Sequence, residues 1–405
     1  MLFLLLIIPL FIILTFLPIH LNAKPLLFEP EKTIEIHCVW TGGCEGSARS
    51  ELFKKFERKF PSVRIIHANI TCSNNYLKDK LLIERILQGN PPDTFQVHAG
   101  NELINNFVLT GIVQPVTTLL KDMDIIKKIN PQLLDICSYE GKIYGVPLTM
   151  HRGNLLFYNK KILQKYNIEP PKNIYEVITS MDKIEKKGII PLAVGNLNDS
   201  SLLHIFENIM LETLGIYSYQ SFCNGEILFD DPAIIETIKL FKKTTSYMNQ
   251  NYNQINWQQA VDMVYKGEAA YLFMGDWALN YFKSLGAIPG EDIDWRFIGS
   301  SSYFILISDI FTLPKNCNNS KYAKEWLKLI ANKKVQTNFC KIKGTTSPRL
   351  DIISNYNNTY LSEKDNDSNK HMYIYFPSMA FGGASSDNLV FILKKLLVNF
   401  VDKKN

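Results

Sequence analysis

Carboxylates, amides, imidazoles and indoles in this chain stand at the ends of strand-like segments and the starts of helical ones. Gln96 and His98 alternate along the run Thr94 to His98, so they share one face. Glu45 stands in the loop opened by Gly42-Gly43, just before a helical pattern, and Trp40 closes the first strand-like run. Trp257 begins one helical pattern and Trp277 lies in the first turn of another. Asp309 follows a strand-like segment and precedes Leu313-Pro314. In open α/β folds these are the places where ligand sites form. The chemistry is that of recognition: carboxylates and planar amides take paired hydroxyls, while an indole face supplies apolar area that excludes water. A sugar, with hydroxyls that donate and accept around a C–H face, suits such a set.

Each of these residues also has a structural explanation. A strand histidine is often a satisfied buried residue, and tryptophan is usually mostly buried. Glu45 could be a solvated loop carboxylate and Asp309 a helix cap. Signatures for bond-making chemistry are missing: there is no G-x-S-x-G, H-E-x-x-H, Walker A motif or G-x-G-x-x-G after a strand. Glu45 and Asp309 leave a glycoside hydrolase open, which would need two carboxylates about 5–9.5 Å apart. Asp365 and Asp367 are spaced as in a calcium loop, but Lys370 stands where that loop needs glycine. No two cysteines form a C-x-x-C pair, so no zinc knuckle is expected. Neither a metal nor a cofactor is expected.

The elements that must position these groups alternate in kind. Thr33 to Trp40, Val63 to Ile70 and Thr94 to His98 read as strands. Helices opening at Ser47 and near Tyr76 separate them, which predicts an α/β layer with a mainly parallel sheet. The pattern resumes after Tyr144-Gly145-Val146-Pro147, with strands at 154–158, 190–195 and 269–274 among helices. A strand at 303–307 and a helix at 321–331 are expected to rejoin the first sheet. Asn355 to Lys370 is rich in Asn, Asp and Ser and reads as a loop.

At 405 residues the chain has room for two or three domains. Its 44 Lys and Arg against 39 Asp and Glu are scattered, without the concentrated basic face of a nucleic-acid binder. Residues 1 to 19 are apolar except Thr15, and small Ala23 precedes a polar stretch. This reads as an export signal cleaved after Ala23; an uncleaved membrane anchor, and hence a tethered sensor or adhesion module, is the alternative. Either places the remainder outside the cytoplasm. Seven cysteines leave at least one unpaired; Cys317 with Cys340 is one possible bridge, and burial as small apolar side chains is the other reading.

A series of fragments carries a resemblance. Phe56-x-x-x-Phe60-Pro61-x-Val63, Pro91-Pro92-Asp93, Tyr144-Gly145-Val146-Pro147, Gly267-x-Ala269-Ala270 and Asp309-x-Phe311-x-Leu313-Pro314 occur in the order typical of family-1 extracellular solute-binding proteins. These serve ATP-binding-cassette sugar importers, with maltose-binding protein as the familiar member. Gln96-Val97-His98-Ala99-Gly100, His151-Arg152-x-Asn154, Trp257-Gln258-Gln259-Ala260-Val261-Asp262 and Met274-Gly275-Asp276-Trp277-Ala278 resemble the glucose, galactose and mannose binders more closely. Lys343-Gly344 before Arg349-Leu350-Asp351 fits the same branch. The resemblance implies a two-lobed, type II periplasmic-binding-protein fold closing on a monosaccharide, a monomer that delivers to a permease from the periplasm. It implies lobes of 24–150 with 306–350 and of 151–305 with 351–405. Trp257 and Trp277 would line the sugar pocket, with Trp40, Glu45, Gln96, His98 and Asp309, and with His151 and Lys343 as further contacts. The chain departs from the pattern in Met379-Ala380-Phe381-Gly382-Gly383, where relatives carry a polar contact.

Overall fold

The computed structural model describes residues 32–68, 75–197, 200–297, 300, 303–352 and 374–402. The expected export signal, Cys72, the Asp365–Asp367 pair and the Asn-rich loop lie outside the described residues. The largest sheet runs in the order Val63–Ala68, Lys32–His37, Thr94–His98, Asp309–Pro314, Val113–Gln114, with Gly145–Pro147 also pairing to Asp309–Pro314. Its first three strands are parallel, linked by helices Gly43–Lys59 and Asn75–Leu87. Leu52 and Phe56 of the first of these helices are buried, as the apolar stripe of an amphipathic helix requires.

The expectation of a mainly parallel sheet does not survive past the third strand. Asp309–Pro314 is antiparallel to Thr94–His98 and to Gly145–Pro147. The reason is directional. The parallel strands, and the outgoing Gly145–Pro147, end at the edge where the chain leaves the sheet. A chain returning across that edge must start there, and so runs the opposite way. Asp309 therefore lies opposite His98, and Phe311 opposite Gln96.

A second sheet orders Ile190–Leu192, Ala269–Met274, Leu155–Asn159 and Ile293–Phe297, with one parallel and two antiparallel pairings. Tyr303–Ile307 does not rejoin the first sheet. It pairs with Ile374–Pro377 and with His151–Arg152 in a small third sheet, and the strand that rejoins is Asp309–Pro314.

Packing follows this division. One apolar cluster joins Ile34–Met150 with Ile310–Cys340; others gather residues from Leu155 to Trp295 and from Met379 to Val401. Along Tyr303–Ile307, Phe304 and Leu306 belong to the first cluster and Ile305 to another, since alternate strand residues face opposite sides. The chain meets itself where the clusters adjoin. Leu148 N donates to Asp309 O, Ser308 Oγ to Thr149 O, and Met150 N to Thr346 O. Cys317 and Cys340 are both free thiols; Cys340 is buried with its Sγ 3.7 Å from Leu148 O, so that bridge is not made. Among the described residues, no helix is long and apolar enough to cross a membrane.

Candidate functional site

Asp309 is the centre from which the site is built. It is the first residue of its strand, not a helix cap, and only 4% exposed. Gln96 Nε2 donates to its Oδ1 at 2.6 Å; Thr149 Oγ1 at 3.0 Å and Lys343 Nζ at 2.5 Å donate to Oδ2. The sheet register puts Gln96 and Asp309 on adjacent strands, and Gln96 Oε1 accepts from Val39 N. Burial would raise the Asp309 carboxyl, but the Lys343 ammonium and the His151 and His98 imidazoles beside it hold it well below the usual carboxylate range.

Lys343 ends helix Lys333–Lys343, whose cap Gly344 is left-handed at φ 79°. Its ammonium also lies 3.4 Å from Glu45 Oε1 and 4.7 Å above the centre of the Trp40 ring. Burial disfavours its charge, yet Asp309 and Glu45 outweigh that and raise its pKa. Glu45 is not in a loop: the helix begins at Gly43, so the carboxylate sits in the first turn, where the helix dipole favours it. Trp40 lies beyond the strand and packs against Phe311 and Phe339 at 5.8 and 5.1 Å.

His151 brings the second half. Its Nδ1 is 2.6 Å from Asp276 Oδ1, and Asp276 Oδ2 accepts from Arg152 N at 3.0 Å. Its Nε2 lies 3.4 Å from Asp309 Oδ2, fully enclosed and without hydrogen-bond geometry to any described residue. Burial and the Lys343 charge oppose protonation of His151, but the Asp276 and Asp309 carboxylates prevail and raise its pKa. His98 is held by Glu102, with Nδ1 2.7 Å from Oε2, and its Nε2 lies 3.9 Å from Asp309 Oδ1. Trp257 and Trp277 are each the first residue of a helix and are half-buried. A Cβ on Gly275 would lie 2.0 Å from the Trp277 ring, so the indole packs directly against that backbone.

All nine side chains singled out in the sequence border one cavity of about 190 Å³: Trp40, Glu45, Gln96, His98, His151, Trp257, Trp277, Asp309 and Lys343. One wall is ionic and amide-lined; the other is formed by Trp257, Trp277, Met274 and Phe381. Such a space can hold a small neutral molecule with many hydroxyls, its charged groups already paired with one another. Among the described residues, no group of three or more His, Cys, Asp or Glu could hold a metal ion.

A family model for bacterial extracellular solute-binding proteins matches residues 45–337. The chain belongs to that family. Over 393 residues it is 32% identical to an uncharacterised ABC transporter extracellular-binding protein of Pyrococcus horikoshii, spanning 95% of this chain and 87% of the relative. The solute receptor AcbH, described as exclusive for β-D-galactopyranose, superposes with a TM-score of 0.75 at 20% identity, covering 93% of this chain and 95% of the receptor. A chitin oligosaccharide binding protein superposes with a TM-score of 0.78 at 18% identity, covering 92% and 94%. The fold is the two-lobed α/β fold of these receptors. Members of the family bind solutes outside the cytoplasm and are not catalysts.

Several residues of this solute-binding protein's cavity were missed by sequence reasoning. Thr149 and Glu102 act through Asp309 and His98, and neither stands in a telling motif. Asp276 sat inside a quoted fragment, but only the fold brings it to His151. Ser200, Ser201, His204 and Phe381 also border the cavity. His204 had no signal, because it lies outside every fragment that carried the resemblance, in a helix whose residues 202–211 the structure buries.

Proposed function

We propose that this protein captures a single neutral monosaccharide of the glucose, galactose or mannose type for an ABC importer, and hands it to the permease from the periplasmic side. The carrying observation is the cavity: an ionic and amide wall facing aromatic rings across about 190 Å³. That is below the roughly 300–1,000 Å³ of pockets for drug-sized ligands, which favours one ring over a chain of them. The lobes would be 24–150 with 306–350 and 151–305 with 351–405, after an export signal at 1–23, in a monomer. The nine named residues would be the sugar contacts. The first lobe's polar groups would hold the hydroxyls, and the second lobe's Trp257 and Trp277 would cover the ring on closure.

A glycoside hydrolase fits less well. Its general acid must stay protonated near neutral pH, which needs a raised carboxyl pKa. Asp309 is shifted the other way. Lys343 pairs with both Asp309 and Glu45, at 2.5 and 3.4 Å. The test is calorimetry of the purified protein against common monosaccharides and disaccharides. The expected result is one-to-one binding of an aldohexose, unchanged on recovery, at about −8 kcal/mol or stronger, the micromolar range. Binding of an oligosaccharide with no heat from any monosaccharide would refute the size argument.

A further inference from the structure

Among the described residues, His204 is the one titratable side chain on the cavity wall whose polar atoms the ionic network does not use. It lies in helix Ser201–Cys223 and is only 1% exposed. Its Nε2 is 2.6 Å from Gly153 O. A carbonyl oxygen only accepts, so Nε2 carries the hydrogen and, in the neutral ring, Nδ1 carries a lone pair. Burial keeps the ring neutral, pulling its pKa down to about 4 against the support of that hydrogen bond. Nδ1 has no hydrogen-bond partner among the described residues, nor is it one of the fully enclosed unpaired atoms. Its lone pair therefore opens onto space, and the space that this imidazole borders is the cavity.

The surroundings fix what could meet it. His204 and His151 both stand edge-on to Trp277, with ring centres at 6.2 and 5.4 Å and interplanar angles of 67° and 83°. His151 is held by Asp276 through Nδ1, and its Nε2 is enclosed beside Asp309 Oδ2 at 3.4 Å, so it presents no acceptor to the cavity. Phe381 packs on both Trp277 and His204, at 5.3 and 5.5 Å, and closes that end with carbon alone. The space beside Trp277 thus meets, in His204 Nδ1, an imidazole nitrogen that only accepts. Ala380, where a polar contact was expected, is buried and has no polar side-chain atom.

We propose that His204 Nδ1 accepts a hydrogen bond from one hydroxyl of the bound sugar and so selects the configuration at that carbon, a role the Ala380 segment cannot fill. This rests on the monosaccharide reading above. The test starts with the monosaccharide that binds the wild-type protein best and its full set of monodeoxyfluoro analogues, since fluorine cannot donate. Each is titrated into wild type and into His204→Phe. One analogue should lose roughly tenfold in affinity against wild type and nothing further against the variant, with penalties at the other carbons equal in both. Identical penalty patterns in the two proteins would overturn the assignment. Should His204→Phe not fold, nitrogen-15 NMR of histidine-labelled wild type decides the matter. Sugar should shift the unprotonated Nδ1 resonance of His204 in the direction of hydrogen-bond acceptance, and an unmoved resonance would overturn the proposal. If no sugar binds wild type, the monosaccharide reading fails at the first titration and the assignment falls with it.

Discussion

Replacing Lys343 by Met removes the ammonium that stands between Asp309, Glu45 and the Trp40 ring while keeping an unbranched side chain of similar length. The side chain is only 2% exposed, so water cannot replace it freely at Asp309. Leaving one member of a buried ion pair without its partner costs about 3–5 kcal/mol. Asp309 would retain Gln96 at 2.6 Å, Thr149 at 3.0 Å and the His151 Nε2 at 3.4 Å, which points to the lower end, about 3 kcal/mol. For a lobe of this size, that is a fall in melting temperature of roughly 6–12 °C. The cost should depend on pH. In wild type Asp309 is held well below the usual range, so its contribution is complete above the unfolded value near pH 4 and is lost only as pH falls through the depressed one. Without Lys343 the largest charge holding the carboxyl down is gone, so burial should push it up against the two remaining imidazoles and let the folded variant take up a proton that the unfolded chain does not. Its deficit should therefore shrink as pH is lowered from 7 to 4.5. Urea unfolding followed by tryptophan fluorescence at both pH values measures this. A deficit below about 1 kcal/mol, or one equal at both pH values, would refute the ion-pair reasoning.

Gly275→Ala should leave the fold intact yet lower sugar affinity at least tenfold by calorimetry, because a Cβ would sit 2.0 Å from the Trp277 ring and displace it. Gly344→Ala should weaken binding and reduce the compaction on binding seen by solution scattering; its Cβ would meet Asn280 at 2.2 Å, at a backbone φ of +79° that disfavours any side chain. Since the His151 pKa is raised, its stabilisation is full below about pH 6.5 and is lost as pH rises through the raised value. Melting temperatures from pH 6 to 9 should show a decline on the alkaline side that His151→Gln removes.

Local pattern made part of the site legible. Period-two alternation put Gln96 and His98 on one face, and the apolar periodicities put Trp257 and Trp277 at helix starts, where the structure has them. What local pattern could not reveal is who meets whom. Asp309 sits opposite His98 only because the returning strand is antiparallel, a property of chain path and not of any short segment. Glu45 was read as a loop residue because Gly42-Gly43 looks like a turn, while in the fold Gly42 precedes a helix that begins at Gly43. His204 was illegible for a different reason. A histidine among continuously buried residues resembles core until one nitrogen is found bonded and the other open.

The placement of the ionic network also bears on how occupancy could be signalled. Thr149, His151, Asp309 and Lys343 belong to the segments where the packed clusters adjoin. The hydrogen bonds that join those segments lie beside the side chains that border the cavity: Asp309 N donates to Thr149 Oγ1 at 3.1 Å, and Thr345 Oγ1 donates to Met150 O at 2.7 Å. Asn280, next to the Trp277 turn, donates from Nδ2 to Ile342 O at 2.9 Å, beside Lys343. A ligand that touches both Trp277 and the polar wall would add its own contacts to this bond. Differential binding to the closed arrangement is all that a population shift requires. Polar contacts placed at the crossings would couple a small movement at the ligand to a rotation of the lobes proposed above.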